Sequence, residues 1–130
     1  MPMEYETLIY EAKKITGEFT LTEEDLSAGS CGAALLAANG KVYTGICLDL
    51  ACGIGFCAEH SAIAEMLKDR ETRIMAIVAT GREGILPPCG RCREMMMQID
   101  SRNSDTDVIL AEGRTEKLRK LLPDHWQETR

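Results

Sequence analysis

The chain has 130 residues, 45% hydrophobic and 28% charged, which fits one globular domain over residues 1–130 and excludes a fibrous repeat or a disordered tract. Its net charge of −6, with few aromatics and no basic stripe, excludes the electrostatic footprint of a polyanion binder, so a small free molecule and no nucleic acid is the expected partner. No apolar run nears the roughly 18 residues that span a bilayer, and Met1-Pro2-Met3-Glu4-Tyr5-Glu6 lacks a basic flank and an apolar signal core, so a cytoplasmic protein with no membrane partner is expected.

From Glu4 to Ile15, apolar Leu8, Ile9, Ala12 and Ile15 recur at helical spacing, and Gly17 follows as a stop. This predicts an amphipathic outer helix. Residues 18–29 are acidic and irregular and predict a loop with at most one helical turn. Cys31 to Ala38 and Lys41 to Cys47 are short apolar or alternating runs joined by Asn39-Gly40, a dipeptide that accepts positive φ in a tight turn, so an antiparallel hairpin is expected. Asp49 to Phe56 is rich in Gly and Cys and has no period, which reads as a loop delivering the chain to Cys57.

The residues after Cys57, among them Ala58, Ala62, Ala64, Met66 and Leu67, suit a helix running to about Asp69. Ile74 to Thr80 is a continuous apolar stretch, as in a strand covered on both faces. Gly81 to Pro88 is a turn-rich loop, a second helix runs from Cys89 to about Asp100, and Val108 to Ala111 is another buried strand. Leu118 to Leu122 predicts a short helix stopped by Pro123. The alternation of strands and helices argues for an α/β layer structure with part of its sheet parallel.

In a cytoplasmic setting thiols stay reduced, so six cysteines read first as metal ligands, reactive groups or buried small apolar side chains. Cys57-Ala58-Glu59 and, after residues 58–88, Pro88-Cys89-Gly90-Arg91-Cys92 supply three thiolate ligands. Three protein ligands leave a tetrahedral zinc with one open position for water, the arrangement of a catalytic site. Cys89 and Cys92, at i and i+3 on a first helical turn, present both sulfurs on one face. Cys57 arrives at the start of the other helix, so two positive helix ends converge on one zinc per chain.

Glu59 is too close to a ligand to share the metal, so its task is proton movement: from the attacking water to a ring nitrogen, then to departing ammonia. A ligand-x-Glu followed by Pro-Cys-x-x-Cys is the signature of zinc nucleobase deaminases. Arg91 and Arg93 are expected to offset the thiolate charge, with at least one facing the cluster, and His60 to hydrogen-bond a thiolate or simply pack. The competing reading closes Cys52, Cys57, Cys89 and Cys92 into a structural four-cysteine zinc site with no water. Cys31 and Cys47 read as buried small residues, Met95, Met96 and Met97 as core and subunit contact, and Arg114, Lys117, Arg119 and Lys120 as a solvated face near and along the last helix.

With these residues in view, the chain resembles the cytidine deaminase family in its small three-cysteine, homotetrameric branch. The likeness runs from Gly32-Ala33-Ala34-Leu35 through Asn39-Gly40-Lys41-Val42-Tyr43-Thr44-Gly45 and both cysteine motifs to Leu121-Leu122-Pro123. It implies a three-layer α/β/α sandwich with a mixed sheet of four to five strands. It also implies zinc on Cys57, Cys89 and Cys92, Glu59 as proton shuttle, and an aminopyrimidine substrate.

Departures from that pattern bear on the substrate. The family's ribose-gripping Asn-x-Glu is matched here by Cys47-Leu48-Asp49, and the aromatic usually lying beneath the substrate is replaced by Gly29 or a near neighbour. His60 stands where the branch usually has arginine, leaving Arg91 to do that work. This, with Cys-Gly-Arg-Cys-Arg and Trp126 after Leu121-Leu122-Pro123, is similar to the blasticidin S deaminases. Asp49, Cys47, Ala58 and Trp126 are therefore the candidate substrate contacts, with cytidine, deoxycytidine, blasticidin S or another small amino-heterocycle as substrate. The short segment between Leu110 and Leu118 implies that the usual fifth strand is truncated or absent.

Overall fold

A computed structural model describes residues 5–129; Glu4 and the Met1-Pro2-Met3 start lie outside them. The first helix, α1 (Tyr5–Ile15), buries Leu8, Ile9 and Ala12 on one face, as its spacing predicts. A short strand, β1 (Phe19–Thr20), pairs with the start of the long β2 (Ser27–Ala37). The segment expected to be a loop thus carries ladder pairing at both ends.

Gly29 has φ 87°, and a Cβ there would stand 2.5 Å from the Gly17 carbonyl oxygen. The left-handed backbone and this close approach both require glycine. The resulting bulge lets β2 begin four residues before the apolar run that announces it.

β2 turns into β3 (Val42–Asp49) as an antiparallel hairpin. Of the two expected turn residues only Gly40 takes positive φ, at 83°. The Ala37 N–H donates to the Lys41 carbonyl across a longer loop, closer to a type I turn ending in a left-handed glycine than to a two-residue turn.

After β4 (Gly55–Phe56) come α2 (Ala58–Lys68), β5 (Ile74–Gly81), β6 (Gly84–Leu86) and α3 (Gly90–Ile99). A 3-10 turn (Ser101–Asp105) leads to β7 (Asp107–Ala111), β8 (Arg114–Lys117), α4 (Leu118–Leu121) and a last 3-10 turn (Trp126–Thr129).

The sheet runs β4-β3-β2-β5-β7-β8, with β1 beside β2 and β6 beside β5, and among the described residues only the β5–β7 pairing is parallel. Alternate residues of the central strands feed opposite faces. Leu35, Ile77 and Ala79 pack with Ile63, Met66 and Met96 of α2 and α3, while Ala34, Ala76 and Val78 pack with Leu8, Ile9 and Ala12 of α1. This is the expected α/β/α sandwich on a mixed sheet.

Among the described residues the sheet has eight strands instead of four to five. The extra ones are two or three residues long and pair through backbone alone, leaving no side-chain alternation to read. The strand expected to be truncated or absent is present as β8, hydrogen-bonded to β7. It also relocates half of the basic group: Arg114 and Lys117 lie on β8, with Lys117 paired to Asp107 at 2.7 Å, and only Arg119 and Lys120 lie on α4.

Candidate metal centre and active site

Cys57 and Cys89 are the N-cap residues of α2 and α3, both in extended backbone. Their side chains therefore stand at the helix mouths, where free N–H groups and the helix dipole favour negative charge. Cys92, one turn into α3, is fully buried. The strand–helix order of the sheet carries the two helices to the same edge of one face, so residues far apart in the chain meet.

The Sγ atoms of Cys57, Cys89 and Cys92 all lie within 4.8 Å of one another. Cys57 to Cys89 is 3.5 Å and Cys89 to Cys92 is 3.6 Å. Sulfurs at two corners of a tetrahedral zinc site stand about 3.8 Å apart, given Zn–S bonds of about 2.3 Å. The donor set and spacing fit one zinc per chain. Cys52 lies outside this group, exposed in the loop before β4 with φ 60°.

Without a cation the site holds charge poorly. Burial pushes the Cys57 thiol up and the Cys92 thiol well above the ordinary range. Burial acts the same way on Cys89, but the Cys92 and Arg91 backbone N–H groups, with the neighbouring thiols, hold it below its usual value. Three thiolates side by side need a metal to remain ionised.

Glu59 is 5% exposed, and burial holds its carboxyl above the usual carboxylate range. It lies with Cys57 and Cys89 on a cavity of about 480 Å³ whose walls include Leu48, Phe56, Ala79, Leu86 and Pro87. A buried carboxyl of raised pKa beside three metal-binding sulfurs is equipped to accept and return a proton.

The structure gathers Cys47, Asp49 and Ala58 onto the same cavity. Trp126 is not among its lining residues; its indole N–H donates to Glu94 Oε2 at 2.9 Å. His60 Nδ1 is 3.5 Å from Cys92 Sγ, and its pKa is lowered by burial and then by Arg91.

Arg93 is turned to backbone, donating from Nε to the Pro88 carbonyl at 2.8 Å and from Nη1 to that of Leu121 at 3.4 Å. It braces the approach to Cys89. Sequence reasoning missed Ser30, Phe56 and Leu86 as cavity residues. Phe56 adjoins a ligand and Leu86 precedes Pro87-Pro88-Cys89, which are the signals that could have marked them.

A family model described as the cytidine and deoxycytidylate deaminase zinc-binding region matches residues 4–105. The cytidine deaminase of Sporosarcina psychrophila is 32% identical over 126 residues, covering 93% of this chain and 90% of that relative. The crystal structure of cytidine deaminase from Mycobacterium tuberculosis is similar with a TM-score of 0.79 at 25% identity, covering 96% of this chain and 98% of that one. That of cytidine deaminase from Burkholderia pseudomallei gives a TM-score of 0.75 at 29% identity, covering 94% and 98%.

Proposed function

We propose, on the premise that the chain belongs to the zinc-binding cytidine and deoxycytidylate deaminase family, that it hydrolyses the amine of a cytosine-type ring in a nucleoside or nucleoside analogue and releases ammonia. The observation that carries this reading is the buried Glu59 beside the three-sulfur cluster on one cavity. Bound zinc, held by Cys57, Cys89 and Cys92, supplies the Lewis acidity that makes water a nucleophile near neutral pH.

Glu59 carries the protons. Its carboxylate takes one from the attacking water and gives it to the ring nitrogen beside the amine-bearing carbon, then takes the second from the hydroxyl now on that carbon and gives it to the amine as the C–N bond breaks and the ring carbonyl forms. Burial, by raising the carboxyl above its usual range, makes the carboxylate a stronger base toward the attacking water. His60, hydrogen-bonded to Cys92, and Arg91, at the helix mouth, offset thiolate charge, and Arg93 contributes by holding Pro88 in place.

The walls favour a neutral or cationic substituent over a phosphorylated one. Asp49 and Glu59 are acidic, and no Lys, Arg or His is among the described residues lining the cavity. Cys47 and Asp49 line the cavity and take the place of the family's ribose-gripping pair, so the proposed substrate range runs from cytidine and deoxycytidine to analogues such as blasticidin S. The proposal extends to a cytoplasmic homotetramer, to be checked by light scattering.

The test is ammonia release by the zinc-loaded protein from cytidine, deoxycytidine, cytosine, blasticidin S and simple aminopyrimidines. Turnover of a cytosine nucleoside or of blasticidin S supports the proposal. Turnover confined to other amino-heterocycles moves the substrate class, and no ammonia from any of them overturns it.

A further inference from the structure

Cys31 and Cys47 occupy neighbouring antiparallel strands on the sheet face covered by α2. The β2–β3 register pairs Gly32 with Ile46 and then Ala28 with Leu48, so Cys47 alone opposes the three bulged residues Gly29, Ser30 and Cys31. Its sulfur takes up the backbone group the bulge leaves over. The Cys31 N–H donates to Cys47 Sγ at 3.2 Å, and Ser30 Oγ lies 3.1 Å from the same sulfur.

Both cysteines are free, and both line the cavity that holds Glu59. Burial, followed by Cys47, pushes the Cys31 thiol up, with a smaller push from Glu59; the two thiols and the carboxyl therefore sense one another. The 3.2 Å contact from the Cys31 N–H to Cys47 Sγ sets the sulfur of one cysteine against the backbone of the other, and a disulfide tolerates Cα separations of roughly 4.4–6.8 Å. The bulge supplies the slack that a flat ladder lacks.

We propose that Cys31 and Cys47 form an oxidisable dithiol in the cavity wall, which a peroxide closes to a disulfide, reshaping the cavity beside Glu59 while the zinc-binding sulfurs stay reduced. Cys47, whose sulfur accepts from the Cys31 N–H, attacks the peroxide as the thiolate, the O–O bond breaks, and water leaves with a sulfenic acid on that sulfur, with Cys31 as the resolving thiol. The second thiol displaces the sulfenic oxygen as another water, forming the S–S bond. Two thiols are oxidised by two electrons and one peroxide becomes two waters. Cys57, Cys89 and Cys92 are withheld by the metal, and Cys52 has no partner sulfur in this wall.

The effect on turnover rests on the proposed reading of this cavity as the substrate site, whereas the covalent bond does not. The experiment separates the two. Zinc-loaded protein carrying Cys52→Ser is treated with hydrogen peroxide, quenched with iodoacetamide and cut with trypsin. Cleavage after Lys14, Lys41 and Lys68 places Cys31 in fragment 15–41 and Cys47 in fragment 42–68.

The expected result is a joined pair of these fragments lighter by about 2 Da than their sum, linked through Cys31 and Cys47, with zinc content unchanged. Ammonia release should fall about fivefold or more and return with dithiothreitol. Cys31→Ala and Cys47→Ala should each abolish the joined pair, and either suffices if the other fails to fold. Both cysteines alkylated after peroxide, or a bond that engages Cys57 or Cys89 with zinc released, overturns the dithiol. A joined pair with unaltered turnover overturns its effect on the cavity.

Discussion

Cys57 Sγ lies 3.5 Å from Cys89 Sγ, bringing together the N-cap residues of two helices whose sequence positions differ by 32. Two thiols this close repel when ionised, so the helix mouths are held together through the metal they share. Cys92→Ser should weaken zinc binding by on the order of a hundredfold or more, and chelation should lower the melting temperature in step with free zinc. Cys52→Ser should leave zinc content unchanged. Metal analysis checks both variants, and loss of zinc from Cys52→Ser would restore the closed four-cysteine reading.

Glu59→Gln keeps the size of the side chain and removes its ability to carry a proton. Because Glu59 is not one of the clustered metal donors, the variant should retain about one zinc while turnover falls by about 10²–10⁴-fold. Metal content and ammonia release measured on one sample check this. A variant with full zinc and full turnover would remove Glu59 from the proton path.

The centre was legible in the sequence because its parts are local: Cys57 and Cys89 each cap a helix start, and Cys92 lies one turn after Cys89. The helices and long strands were legible through periodicity, as in Leu8, Ile9 and Ala12 of α1. The short strands were not, since Phe19–Thr20, Gly55–Phe56 and Gly84–Leu86 pair by backbone and carry no alternation. Arg93 shows a second limit: its charge suggested a partner for thiolates, yet its guanidinium is committed to two carbonyls that only the folded chain brings near. Trp126 likewise finds Glu94 across a long sequence gap.

Tyr5 hydrogen-bonds Asp107 and ties α1 to β7. Burial first, then this carboxylate, raises the phenol from 10.0 to about 12. A raised folded-state value means the native protein keeps a proton that the unfolded chain has lost. The contribution is thus fully present below pH 10 and disappears as pH rises toward 12. The phenol is only partly buried, so screening reduces its worth to about 1 kcal/mol. Urea melts of wild type and Tyr5→Phe should converge between pH 10 and pH 12; parallel curves would show that this bond does not titrate with folding.

Asn103 is fully buried and serves as a junction between α3 and the sheet. Its Nδ2 donates to the Met96 carbonyl at 2.9 Å and to that of Thr72 at 3.0 Å, while Oδ1 accepts from the Ile74 N–H at 2.8 Å. The Met96 carbonyl belongs to the last turn of α3, which lacks helical partners. Asn103→Ala strands all three backbone groups and should cost about 2–4 kcal/mol, read as a lower urea midpoint at unchanged slope. Asn103→Asp should cost more at neutral pH, because a carboxylate accepts from Ile74 but faces two carbonyls to which it cannot donate. Equal losses for the two variants would mean that the cavity left by the side chain matters and the hydrogen bonds do not. Since Cys89 and Cys92 sit at the opposite end of the same helix, zinc content in Asn103→Ala at low temperature should stay near one per chain, separating a loss of stability from a loss of the site.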